Sequence, residues 1–185
     1  MDPELKKNRR GLTLVFTGNG KGKSTAAMGL ALRAAGNRMP VRVVQFIKGS
    51  WKTGERTAFT ELVPLVDIAA EGRGFTIERL RDPAVSDDEH AQAGRNAWQV
   101  AHEAVHSGEY RVVVLDEVLG SITAGLVPLG EVVELIRSKP QDVHLVLTGR
   151  NAPPEVIDVA DCVTEMRDVK HHYRAGVGAQ RGIEF

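Results

Sequence analysis

The sequence predicts an α/β fold: a single domain with a mostly parallel open sheet and helices on both faces. Three observations carry this. Apolar runs of strand length alternate along the chain with longer stretches of helical period. One run, YRVVVLDE (110–117), is apolar almost without alternation, as a strand covered on both faces must be. A glycine-rich turn, GNGKGKS (18–24), stands between the first such strand and the first such helix.

In order, residues 1–10 (MDPELKKNRR) are polar and basic with Pro3 near the start, and are expected to form a mobile arm ahead of a domain over 11–185. GLTLVFT (11–17) has the β-branched and aromatic content of a strand. STAAMGLALRAA (24–35) reads as a buried helix ended by Gly36. VRVVQF (41–46) is a second strand, and IKGSWKTGERT (47–57), polar with two glycines, a loop. LVDIAAE (65–71) is a third strand, and GRGFTIERLRDP (72–83) is irregular. SDDE (86–89) is a capping box, with Ser86 accepting from the Glu89 amide while the Glu89 side chain reaches back. A helix over 87–107 follows, its apolar face made by Ala93, Ala97, Val100, Ala101, Ala104 and Val105, and Gly108 stops it. After the 110–117 strand come an amphipathic helix, LGEVVELIRS (129–138), closed by Pro140, and a buried strand, VHLVLTG (143–149).

Composition narrows the function. The 185 residues suit one well-buried domain, and 24 basic and 24 acidic residues cancel, so no global field is available to hold a nucleic acid or an anionic membrane. No stretch approaches the roughly 20 apolar residues of a membrane span, so a cytoplasmic location is expected. The single cysteine, Cys162, rules out an internal disulfide and is expected to be small and buried.

The glycine-rich turn raises a specific question. TGNGKGKST (17–25) is nearly a phosphate-binding P-loop, G-x-x-x-x-G-K-[ST], but Thr17 stands where the first glycine belongs and Gly18 follows it. Such a turn aims several backbone N–H groups at one point, where the helix N-terminus adds partial positive charge. Gly18, Gly20 and Gly22 leave no Cβ in the way, Lys21 and Lys23 add charge, and Ser24 adds a hydroxyl for Mg²⁺. A loop that only turned the chain would need neither the lysines nor the hydroxyl at those offsets. Asp116 and Glu117, at the end of a buried strand, have the Walker-B arrangement that holds Mg²⁺ through oxygen ligands beside a P-loop serine. Both motifs fall at strand carboxyl ends, where open α/β sheets bind ligands. The domain therefore reads as P-loop NTPase-like (RecA-like). A competing pattern, His102-Glu103-x-x-His106, has zinc-peptidase spacing, but its helix ends at Gly108 with no third ligand nearby. Solvated histidines on a helix face are the simpler reading.

The motifs TGNGKGKST, QFIKGSWKTGE, GFT, VVLDE, LTGRNAP, ADCVTEMRDVKHHY and AQRGIEF appear in the order and spacing of the P-loop corrinoid adenosyltransferases. The chain resembles that family from about residue 11 to 185, and the displaced glycine is the family's own form. The resemblance implies transfer of the 5′-deoxyadenosyl group of ATP to Co(I) of a reduced corrinoid, with triphosphate released, on the way to coenzyme B12. It further implies Mg²⁺ as cofactor, a flavin-type reductant protein as partner and a homodimer.

By the same resemblance, Gly18, Asn19, Gly20, Lys21, Gly22, Lys23, Ser24 and Thr25 hold the triphosphate, with Arg33, Arg150 and Asn151 as further nucleotide contacts. Ser24, Asp116 and Glu117 are the Mg²⁺ set, Lys21, Lys23 and Glu117 the catalytic charges, and Lys48, Trp51, Glu55, Phe75 and Ile77 the corrinoid contacts. Bland alternatives stand beside several: Arg33 as a solvated helix residue, Trp51 as packing, Asn151 as the cap of the next helix. GFTIE departs from the GFTWE of many relatives at Ile77, which has less area and no ring face. That change implies either a different corrinoid or a weaker grip on its lower face. His171 and His172 are left out of the metal set. A phosphotransferase or NTPase, and a non-enzymatic nucleotide-gated corrinoid carrier, are the rival functions.

Overall fold

A computed structural model describes residues 9–47, 53–72 and 86–184. In chain order it contains β1 (Thr13–Thr17), α1 (Lys23–Gly36), β2 (Val41–Gln45), α2 (Gly54–Leu62), β3 (Val66–Ala70), α3 (Asp87–His106) and β4 (Val112–Asp116). There follow α4 (Val118–Thr123), α5 (Leu129–Ser138), β5 (His144–Thr148), α6 (Pro154–Val159), β6 (Cys162–Glu165) and a 3₁₀ turn (His172–Ala175). The sheet order is β3-β2-β4-β5-β1-β6, and every pairing is parallel. All six strands therefore end on one edge, which collects the loops that follow them.

Side chains alternate across each strand, so β4 feeds two apolar layers. Val113 and Leu115 join the layer against α3 and α5, with Ala97, Ala101, Val105, Leu135 and Ile136. Val112 and Val114 join the opposite layer, with Ala27, Ala31 and Ala35 of α1 and Phe59 of α2. Burial on both faces is the reason the 110–117 run lacks alternation.

The strands near 11–17, 41–46, 65–71, 110–117 and 143–149 are present within a few residues, as are the helices at 24–35, 87–107 and 129–138. Both halves of the Ser86–Glu89 capping box form: the Glu89 amide donates to Ser86 Oγ at 3.2 Å and the Ser86 amide to Glu89 Oε2 at 2.9 Å. The loop expected over 47–57 instead gives way to α2 at Gly54. Its first turn carries Glu55, favourable at a helix N-terminus, and its anchor Phe59, 5 % exposed, lies just past the polar window. Cys162 is exposed rather than buried, because β6 is an edge strand with every residue exposed. The arm expected over 1–10 lies almost wholly outside the described residues; Arg10 is described and pairs with Asp161.

Candidate functional site

The turn after β1 shows why the first glycine is displaced. Thr17 is still a β1 residue, 7 % exposed, and its hydroxyl accepts from the Ala152 amide at 3.1 Å. The turn proper begins at Gly18, with φ of 94°, where a Cβ would meet the Met166 carbonyl oxygen at 2.5 Å. Because that contact is backbone, no rotamer change relieves it. The chain leaving β6 thus passes directly over the loop, and the Gly20 amide donates to Met166 O at 2.6 Å. Gly22, at φ 118°, is the N-cap of α1 and directs the helix N-terminus into the cleft beyond.

Lys23 is 7 % exposed and donates to Gly18 O and Gly20 O, both at 2.9 Å. Burial lowers the pKa of its ammonium; Glu117 and Asp116 pull the other way, while Arg150 adds to the lowering. Ser24, Thr25, Glu117, Glu55 and Lys21 line one cleft of ≈ 420 Å³ with Lys23. Its far wall is Gly182, Ile183 and Glu184. Lys21 Nζ donates to Ile183 O at 2.7 Å and lies 3.2 Å from Glu184 Oε1, which also faces His172 Nε2 at 3.6 Å.

The two neighbouring acids separate. Glu117 lines the cleft from a left-handed backbone, φ 63°. Asp116 is fully buried: Oδ1 accepts from Thr148 Oγ1 at 2.8 Å and Oδ2 lies 3.4 Å from Gln45 Nε2. Asp116 therefore sits beneath the cleft rather than in its lining.

Other expected residues are distributed unevenly. Arg150 is exposed at the end of β5, close enough to Lys23 to act on its charge. Asn151 is exposed at φ 54° and does not cap the next helix, since Pro153 is the N-cap of α6. Asn19 is exposed at the turn's tip. Arg33 is not brought to the cleft. It is exposed in the last turn of α1, about 15 Å along the axis from Lys23 at 1.5 Å per residue, and there it complements the helix C-terminus. Glu55, expected at the corrinoid, shares the P-loop's cleft. Lys48, Trp51, Phe75 and Ile77 lie outside the described residues. Sequence reading gave no role to Thr148, Met28, Met166 or Gly182–Glu184; the one signal for the last was AQRGIEF, matched in order and spacing without a function attached.

His102 and His106 stand side by side on exposed α3 surface, ring centroids 4.5 Å apart. Among the described residues no group of three or more His, Cys, Asp or Glu side chains could hold a metal ion. Among the same residues no helix is long and apolar enough to cross a membrane.

A parallel sheet whose first strand opens through a glycine turn onto a lysine, a serine and a facing glutamate defines a P-loop nucleotide-binding protein. Its fold is similar to the cytoplasmic domain of EssC, with TM-score 0.52 and 14% identity over 92% of this chain and 34% of that one. Residues 9–185 match the family described as ATP:corrinoid adenosyltransferase BtuR/CobO/CobP, and the chain belongs to it. The corrinoid adenosyltransferase of Pseudomonas aeruginosa is 43% identical over 97% of this chain and 86% of its own. That of Escherichia coli is 39% identical over 96% and 87%. Corrinoid adenosyltransferase CobA of Salmonella typhimurium is 40% identical over 95% and 86%. The chain is thus an adenosyltransferase that moves the adenosyl group of ATP to a corrinoid in B12 synthesis.

Proposed function

We propose that the cleft holds the triphosphate of Mg-ATP as a leaving group, and that Co(I) of a reduced corrinoid attacks C5′ of the ribose. The cobalt–carbon bond forms from the Co(I) electron pair, the C5′–O bond breaks, and the C5′–O bonding pair leaves on the triphosphate oxygen. No phosphoryl group moves. Catalysis then consists of positioning and of spreading negative charge over the departing phosphate oxygens. The turn amides, Lys21 and Lys23 meet the charge, and Thr25 continues the phosphate cradle into α1. Arg150 and Asn151, on the same sheet edge, extend it toward the nucleoside.

The observation that carries this reading is that Ser24 and Glu117 line one cleft with Lys23. A hydroxyl and a carboxylate are hard oxygen donors, and Mg²⁺ is commonly held by one or two such groups together with substrate phosphates. Mg²⁺ would neutralise phosphate charge as C5′–O breaks. Asp116 supports the set from beneath the cleft. The corrinoid contacts proposed for Lys48, Trp51, Phe75 and Ile77 rest on the family resemblance, as do the flavin-type reductant partner and the cytoplasmic location. Homodimerisation has the same basis.

The test supplies ATP, Mg²⁺ and chemically reduced cobalamin. A light-sensitive cobalt–carbon product with one equivalent of free triphosphate is expected; ADP and phosphate would make the protein a phosphotransferase instead. A zinc chelator is expected to leave the rate unchanged.

A further inference from the structure

Glu117 adopts a backbone conformation that a residue with a Cβ rarely takes: φ is 63° and ψ 21°, at the junction of β4 and α4. Something must hold it there. Its amide donates to Thr148 Oγ1 at 2.8 Å, and the same hydroxyl donates to Asp116 Oδ1 at 2.8 Å. A hydroxyl has one proton. With that proton committed to Asp116, a lone pair of Oγ1 is left to receive the Glu117 N–H. Asp116 and Thr148 are both 0 % exposed, so no water competes for either bond. Gln45 Nε2, 3.4 Å from Asp116 Oδ2, adds a weaker tie from β2.

The ends of β4 and β5 are thereby linked at one point: β4 supplies the carboxylate, β5 the hydroxyl, and the peptide after β4 the donor. The linkage fixes the direction in which the Glu117 side chain leaves the sheet, which is into the cleft shared with Ser24 and Lys23.

We propose that Thr148 is a positioning residue for the adenosyl transfer, its hydroxyl tying the Glu117 peptide by hydrogen bonds to the buried Asp116 side chain and so aiming the Glu117 carboxylate at the divalent cation of the nucleotide. Asp116 in this arrangement acts through Thr148. The inference rests on the proposed metal role of Glu117, and nothing in the family relation assigns Thr148 a part.

Thr148→Val keeps the shape and removes the hydroxyl; Thr148→Ser keeps the hydroxyl. Mn²⁺ affinity of the ATP complex, read by electron paramagnetic resonance titration on the full chain, is expected to fall about 10-fold or more in Thr148→Val, the range for partners that orient metal ligands, and to stay within about threefold in Thr148→Ser. The Mg²⁺ concentration for half-maximal turnover should move in parallel. Unchanged affinity in Thr148→Val, or equal loss in both variants, overturns the proposal. Glu117→Gln separates the two levels: if it leaves Mn²⁺ affinity intact, the metal role of Glu117 fails; if it lowers affinity while Thr148→Val does not, only the positioning role fails. Should the valine variant not fold, hydrogen exchange of the Glu117 amide in the unaltered protein still decides. Strong protection is expected, and exchange as fast as that of an exposed turn overturns the proposal.

Discussion

Each edge of the sheet holds a lysine by the same device, and the two differ in the groups that surround them. At the carboxyl edge Lys23 donates to Gly18 O and Gly20 O; at the amino edge Lys139 donates to Gly11 O and Val143 O, at 2.9 and 3.0 Å. Burial lowers the pKa of both ammonium groups. Lys139 even lies in a cleft of ≈ 320 Å³, with Arg10 and Arg137 nearby. What differs is the company. Beside Lys23 stand glycine amides, a helix N-terminus, the Ser24 hydroxyl and Glu117, groups that together fit a metal-bound polyphosphate. Beside Lys139 stands Asp161, already taken by Arg10 and by the Thr13 amide at 2.8 Å. A buried lysine on carbonyls is therefore not itself a phosphate signal; the donors and oxygen ligands around it decide.

The reach of the two lysines also differs, and this predicts opposite phenotypes. Lys23 bridges carbonyls three and five residues away, within its own turn. Lys139 ties Gly11, 128 residues distant, to Val143, so it joins the entry to β1 with the entry to β5. Lys23→Met should lower kcat/KM about 10²- to 10³-fold, the range for loss of a charge-stabilising donor. Lys139→Met should cost about 1–2 kcal/mol in denaturant unfolding and leave kcat within about twofold. Loss of activity in Lys139→Met without loss of stability would erase the distinction between the two edges.

The amino edge can also be separated by pH. Burial disfavours the charged form of Asp161, but the Thr13 amide and Arg10 outweigh it and hold the carboxyl below its usual value. A depressed folded-state pKa gives stability that is present above the ordinary aspartate range and lost as pH falls through the folded value. Asp161→Asn should accordingly be less stable than the unaltered protein near neutrality, and the two curves should converge on acidification below about pH 4. ATP affinity, which belongs to the other edge, should differ little between them at neutral pH.

The same contrast explains what was legible in the sequence. The P-loop could be read because its signal is local: glycines, lysines and a serine at fixed offsets between a strand and a helix. The continuous apolar run of β4 and the capping box before α3 were local as well. β6 was not legible, since its four residues are exposed and lie on an edge, with no apolar period to read. The displaced glycine was visible but not its cause, because the Met166 carbonyl that excludes a Cβ at Gly18 arrives from the segment just after β6, far along the chain. Asp116 and Glu117 were read as a pair with one role; only the bonds to Thr148 and Gln45 show that one faces down and the other into the cleft. Arg33 was assigned through family resemblance, and the length of α1 carries it away from the phosphate end.

The smallest expected effect lies where the carboxyl edge most resembles the amino edge. Lys21 and Glu184 form an ion pair at 3.2 Å, a counterpart of the Arg10–Asp161 pair, but this one lines the cleft shared with Lys23. The Gln180 amide, with Lys21 and His172 adding to it against the opposing pull of burial, holds the Glu184 carboxyl below its ordinary value, so it is anionic at neutral pH. An anion on the cleft wall opposes an incoming polyphosphate and competes for Lys21. Glu184→Gln removes that charge and keeps the shape, and the KM for ATP should fall about two- to threefold, the modest size typical of exposed charge pairs. The effect should shrink with added salt. A KM that rises instead would make Glu184 a group that orders Lys21 for the nucleotide, and the pair would then be functional in the sense that Arg10 and Asp161 are structural.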